Sequence, residues 1–249
     1  MTVDDATQIA ASLRAVEARI EAAARRAGRA PSDVQLLLAT KTVPASRVAL
    51  ALRAGDYALG ENKVLEGEAK AAELDARGVE APRGWHVIGH LQTNKVKYAL
   101  RYARCIESID RMRLVTRLDR LLEAEGRALD VMLQVNVSGE ASKYGVTPEE
   151  LPAFAREVAQ VETLRIRGLM TIGKFGDTPE VARPGFARLR ELRDRVLAEG
   201  IERCEPRELS MGMSGDLELA IEEGATIIRV GTAVFGARPL PDSYYWPSG

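Results

Sequence analysis

The chain has 249 residues, a formal net charge of −1, 46% hydrophobic and 29% charged side chains, and two cysteines. That length suits one large domain or two small ones, and the apolar fraction excludes a disordered chain. Mixed charge offers no field for nucleic acid or anionic lipid, no apolar run approaches the roughly 20 residues that span a bilayer, and the isolated Cys105 and Cys204 supply neither a disulfide framework nor a zinc cluster. Asp4 and Asp5 stand where a signal peptide would be basic, so the expected location is cytoplasmic.

An Ala-rich helix with interspersed Arg and Glu comes first, over 5–28, closing at Gly28. Continuous apolar character makes 34–40 a buried strand. Pro44 opens a helix that ends near Gly55. A second strand at 57–59 and a helix at 62–77 follow, then a strand at 85–89 and a helix at 92–102. The fourth strand, 104–109, leads through Asp110 as N-cap into a helix at 111–125. In the second half, 130–137 is a β-branched strand. Thr147-Pro148-Glu149-Glu150 reads as a capping box opening a helix to about residue 161. Strands at 164–172, 207–211 and 226–230 alternate with helices at 178–199 and 214–223.

Eight strands, each followed by a helical segment, imply a parallel sheet. Eight such units in about 250 residues predict an α/β protein with a single (β/α)8 TIM barrel and an extra N-terminal helix. The expected domain covers 1–249, with 1–30 as the N-terminal helix and 238–249 as a C-terminal tail. An open doubly wound sheet fits less well, because no Gly-rich dinucleotide fingerprint follows the first strand.

Barrels of this kind build their sites at the C-terminal ends of the strands. Lys41 stands at the first of these ends. Seven of the 35 cationic side chains are lysine, so arginine is the default cation and a lysine here draws notice. A desolvated lysine amine becomes a nucleophile and forms Schiff bases, which arginine cannot. A solvated loop lysine would have the same sequence, and the strand-end position brings the two readings level.

The turns after strands seven and eight are glycine-rich. Gly212-Met213-Ser214-Gly215 and Gly231-Thr232 each run into helical sequence, where N–H groups and hydroxyls can hold phosphate. Taken singly, each reads more simply as an ordinary tight turn, with Ser214 as an N-cap; both at the strand pair that commonly binds phosphate is more specific. Arg229 interrupts an apolar strand, and alternation directs it into the barrel, where it needs an acceptor. A structural salt bridge would meet that need. A nucleophilic lysine, a phosphate cradle and an inward arginine together fit pyridoxal 5′-phosphate (PLP).

These residues carry a family resemblance. Ala39-Thr40-Lys41-Thr42, Gly60-Glu61-Asn62, the run from Trp85 to Lys95, Ser142-Lys143-Tyr144-Gly145, Gly168-Leu169-Met170-Thr171-Ile172, and the blocks at 209–216 and 229–236 occur in order over nearly the whole chain. The chain resembles the YggS/PROSC family of PLP-binding (PLP homeostasis) proteins. The resemblance implies a barrel similar to the N-terminal domain of alanine racemase and PLP held as a Schiff base on Lys41, a modified lysine. It further implies phosphate contacts from Ser214, Gly231 and Thr232, Arg229 at the pyridine nitrogen, and Asn62 in the pocket. Many members carry tyrosine after Gly-Glu-Asn, whereas here Lys63 follows, adding an amine near the rim. Lys143 is a further amine that could relay cofactor, although a solvated loop lysine is the simpler reading.

His86 and His90 lie on a strand-like run without completing ligands, so no metal site is expected. His86 reads as a half-buried polar residue. Tyr244-Tyr245-Trp246 reads as a loosely packed end. Three functions compete: a PLP carrier that buffers cofactor and supplies PLP-dependent apo-enzymes, a PLP-dependent racemase-like enzyme, and a Schiff-base aldolase. The eighth strand ends near residue 230, leaving no second domain in this sequence for a racemase's opposing base. Arginine at the ring nitrogen also weakens the cofactor as an electron sink. The expectation is therefore a carrier with little or no catalysis, and a monomer.

Overall fold

A computed structural model describes residues 3–140, 143–173 and 178–237. Ser142 and the tail with Tyr244, Tyr245 and Trp246 lie outside the described residues. Eight parallel strands, β1 (Gln35–Ala39), β2 (Ala58–Glu61), β3 (Trp85–Val87), β4 (Ala103–Ile109), β5 (Leu129–Gln134), β6 (Leu164–Met170), β7 (Cys204–Ser210) and β8 (Ile227–Val230), follow in order around a closed barrel. The ring shuts where β8 pairs with β1, Leu37 opposite Arg229. The chain is thus a TIM barrel. Its helices are α1 (Val3–Arg26), α2 (Ala45–Ala54), α3 (Val64–Ala76), α4 (Val96–Ala99), α5 (Met112–Glu125), α6 (Leu151–Ala159), α7 (Arg183–Ala198), α8 (Leu217–Glu222) and α9 (Thr232–Phe235). Among the described residues no helix is long and apolar enough to cross a membrane.

Strand alternation divides the apolar residues into two layers. Leu36, Leu38, Ile106, Ile228 and Val230 join the large cluster between strands and helices. Their neighbours Leu37, Ala39, Cys105 and Ile227, with Ala58, Ile88, Met132 and Met170, form a second, inner cluster. By the same parity Arg229 and Glu107 fall inside. Helix α1 precedes β1 and buries Ile9, Leu13, Val16, Ile20, Ala23 and Ala24, a three-to-four spacing that makes one apolar stripe. The stripe packs on α2, α8 and α9, beside the ends of β1 and β8.

Several expected boundaries shift, among them these. Residues 92–102 form a 3-10 turn (Thr93–Lys95) followed by the short α4 rather than one helix. Arg111, not Asp110, stands at the N-cap of α5 and makes no side-chain cap bond; the Asp110 carboxylate pairs with the Arg111 guanidinium instead. The Thr147 box forms, with the Glu150 N–H on Thr147 Oγ1 at 3.2 Å and the Thr147 N–H on Glu150 Oε2 at 3.0 Å. The regular helix nevertheless starts after it, at Leu151.

Candidate functional site

A cavity of about 360 Å³ opens at the C-terminal ends of β1, β2 and β8. Lys41, Asn62, Ser214, Arg229, Gly231 and Thr232 all line it. Lys41 forms one wall. Its neighbour Thr42 has φ of +64°, a left-handed conformation uncommon outside glycine. Asn62 follows β2, and Gly89 gives it room: a Cβ on Gly89 would sit 2.4 Å from the Asn62 carbonyl oxygen. Lys63 is exposed at the N-cap of α3. Lys143 lies apart from the cavity lining, donating from Nζ to the Gly173 carbonyl at 2.9 Å.

The pair of glycine turns also lines the cavity. Gly212 has φ of +89°, and a Cβ there would meet the Ala220 Cβ at 2.4 Å, so the turn requires glycine. The Met213 N–H donates to Asp216 Oδ1 at 2.5 Å, closing the turn ahead of α8. Burial raises the Asp216 pKa, against the Met213 bond and the charge of Arg229. Ser214 is not an N-cap of α8, a position that Asp216 takes. Its hydroxyl accepts the Ala233 N–H at 3.3 Å, tying one turn to the other. Gly231 brings β8 close to β1, since an added Cβ would lie 2.9 Å from the Ala39 carbonyl oxygen. The first N–H groups of α9 have no acceptor within the helix, and Gly231 and Thr232 border the cavity.

Arg229, also in the lining, is 5% exposed. Its Nη1 donates to Ser210 Oγ at 2.7 Å and its Nη2 to the Thr171 carbonyl at 2.7 Å. The Ser210 hydroxyl in turn donates to Glu107 Oε2 at 2.5 Å, and His86 Nδ1 meets Glu107 Oε1 at 2.6 Å. Burial pushes the Glu107 carboxyl up, but the His86 bond and charge, with Arg229 and Ser210, outweigh it and hold its pKa below the usual range. A carboxylate only accepts, so His86 Nδ1 carries the hydrogen. Burial lowers the Arg229 pKa, opposed by Glu107 and Asp216. The acceptor that Arg229 needs is therefore this inner chain rather than a direct ion pair. His86 is buried, not half-buried, and is part of the chain.

Two supports outside the barrel went unread in the sequence. Arg19 of α1 donates from Nη2 to the Ser214 carbonyl at 3.0 Å and from Nε to Glu218 Oε1 at 2.6 Å. Arg47 of α2 donates to the Phe235 carbonyl at 2.9 Å and to Asp5 Oδ1 at 3.0 Å. The extra helix thus braces the glycine turns. On the Lys41 side, Lys70 of α3 lies buried among Thr40, Glu61 and Glu66. Among the described residues no group of three or more His, Cys, Asp or Glu side chains could hold a metal ion.

The sequence profile described as "Alanine racemase, N-terminal domain" matches residues 11–239. A "Pyridoxal phosphate homeostasis protein" of Pseudomonas aeruginosa is 46% identical over 92% of this chain and 96% of its own length. A crystal structure of a Bifidobacterium adolescentis protein, described as unknown, superposes with TM-score 0.88 at 40% identity, covering 94% of this chain and 97% of that one. The structure of PipY from Synechococcus elongatus with PLP bound has TM-score 0.79 at 37% identity, covering 92% of this chain and all of PipY.

Proposed function

The chain belongs to the pyridoxal phosphate homeostasis protein family, and from that premise we propose that it holds PLP in the cavity at the top of its barrel, buffers it and delivers it to apo-enzymes. The observation that carries this reading is the meeting of all six residues in one cavity lining: an amine, two hydroxyl-bearing glycine turns and a buried guanidinium, with Asn62 beside them. The donor set fits the cofactor. Lys41 would hold the aldehyde end, Ser214, Gly231 and Thr232 the phosphate, and Arg229 the pyridine nitrogen, with Asn62 at the side. When bound, PLP supplies an aldehyde carbon that condenses with the lysine amine, both amine hydrogens leaving with the aldehyde oxygen as water. PipY, a relative, has a structure with PLP bound.

Arg229 also bears on turnover. Its charge is kept by Ser210, Thr171 and the Glu107 carboxylate beyond. A cation against the ring nitrogen opposes its protonation, and an unprotonated ring is a poor sink for carbanion electrons. Curated relatives are named for homeostasis rather than for a reaction. We read the protein as a carrier with little or no catalysis, working in the cytoplasm as a monomer. Wild-type protein loaded with PLP and freed of unbound cofactor should keep a visible absorbance band, and Lys41→Ala should lose it. A wild-type protein that is colourless after the same treatment would overturn the reading. Incubation with L-alanine in deuterated water should give negligible α-proton exchange; enzyme-like exchange would replace the carrier with an enzyme.

A further inference from the structure

Lys41 sits between two residues that are both tied to helix α3. On its N-terminal side, the Thr40 carbonyl accepts from Lys70 Nζ at 2.7 Å, and Thr40 Oγ1 donates to Glu61 Oε1 at 2.6 Å. On its C-terminal side, the Thr42 N–H donates to Glu66 Oε1 at 2.6 Å. The same Glu66 oxygen pairs with Lys70 at 3.2 Å, and Lys70 also pairs with Glu61. One buried ammonium, 6% exposed, therefore organises both peptide neighbours of the reactive lysine.

The arrangement goes beyond what a salt bridge needs. Glu66 and Lys70 are one helical turn apart on α3, so an ordinary i,i+4 pair would need no bond to the β1 end. Here both reach across to it. Thr42 is one of two non-glycine residues with positive φ among the described residues. Such a conformation persists where its surroundings hold it, and the Glu66 carboxylate on the Thr42 N–H does so.

We propose that Lys70 and Glu66, with Glu61, are positioning residues that fix the Lys41 turn, so that the amine meets an aldehyde bound in the cavity. This rests on the reading of Lys41 as the PLP lysine. The groups act on the backbone at 40 and 42, not on the cofactor.

The test separates capture of the aldehyde from binding of the rest of the molecule. Pyridoxine 5′-phosphate has the ring and phosphate but no aldehyde, so its affinity reports the cradle alone. In Lys70→Met and Glu66→Ala, the rate at which the visible band forms with PLP should fall at least tenfold, and the pH midpoint of that band should move. Affinity for pyridoxine 5′-phosphate should stay within about twofold. Glu66→Gln keeps an acceptor for the Thr42 N–H and should recover most of the rate. If Lys70→Met does not fold, Glu66→Ala, at a partly exposed side chain, carries the test alone. Wild-type rates and pH midpoints in folded Lys70→Met or Glu66→Ala would overturn the proposal, as would equal losses of both ligands. A wild-type protein forming no band would instead overturn the PLP reading itself.

Discussion

Glu61 and Glu107 are both wholly buried carboxylates, one at the end of β2 and one inside the barrel on β4, yet their pKa values move in opposite directions. Burial pushes both up. For Glu61 it prevails over Lys70 and Thr40, and for Glu107 it loses to His86, Arg229 and Ser210. Two differences go with this: the neighbouring Glu66 charge also raises Glu61, and the partners are shared differently between the oxygens. Glu107 is bonded on both, His86 on Oε1 and Ser210 on Oε2. Glu61 has Lys70 and Thr40 crowded onto Oε1, while Oε2 is buried without a hydrogen bond. Two partners on one oxygen leave half the charge without solvation, and desolvation decides the balance.

Deleting each carboxylate should separate the two sites most strongly. Glu107→Leu leaves Arg229 buried with Ser210, a carbonyl and Asp216 as its remaining counter-charge, and should cost about 3–5 kcal/mol in urea unfolding. Glu61→Gln should cost less than Glu107→Gln, because Lys70 keeps Glu66 and the Thr40 carbonyl. Equal costs would mean that partner sharing is irrelevant.

Titration sharpens it further. Glu107 binds its proton more weakly when folded, so its contribution is complete above the ordinary value of 4.5 and fades as pH falls through the lower folded value. Glu61 binds its proton more strongly when folded, so its contribution is complete below 4.5 and fades as pH rises through the raised value. Unfolding free energies measured from pH 3 to 8 should therefore lose part of their acid-side decline in Glu107→Gln. In Glu61→Gln they should lose part of the decline with rising pH.

The smallest effect is expected at the brace of the glycine turns. The Arg19–Glu218 pair is about one-third exposed on each side, and such pairs are weak and screened by salt. Arg19→Ala should weaken pyridoxine 5′-phosphate binding about two- to fivefold at low ionic strength, and less in high salt. A larger, salt-independent loss would place the brace among the buried contacts.

The barrel was legible because its apolar runs and glycine punctuation recur at unit spacing. Arg229 was legible because a lone charge in an apolar strand must find a buried acceptor. Glu107 shows the same signature within Cys105-Ile106-Glu107-Ser108 and fell on the same inner face, but its polar neighbour Ser108 obscured the alternation. Strand β7 begins at Cys204 rather than 207 because Glu205 and Arg207 alternate outward around Cys204 and Pro206, a pattern that reads as loop. The Asp110 cap failed because the carboxylate found Arg111, with His90 3.4 Å away, and a side chain cannot also serve the helix. The roles of Lys70 and Arg19 were not readable: Lys70 with Glu66 looks like an ordinary i,i+4 pair, and the Thr40 and Ser214 carbonyls that the two cations hold lie 30 and 195 residues away.

The proposed function turns on Lys41 being the residue that holds the cofactor. Borohydride reduction of the PLP-loaded protein, followed by proteolysis and mass spectrometry, tests it directly. The pyridoxyl group is expected on Lys41 in stoichiometric amount, with Lys63 and Lys143 marked weakly or not at all. A pyridoxyl group found chiefly on Lys63 or Lys143, or none on Lys41, would contradict it.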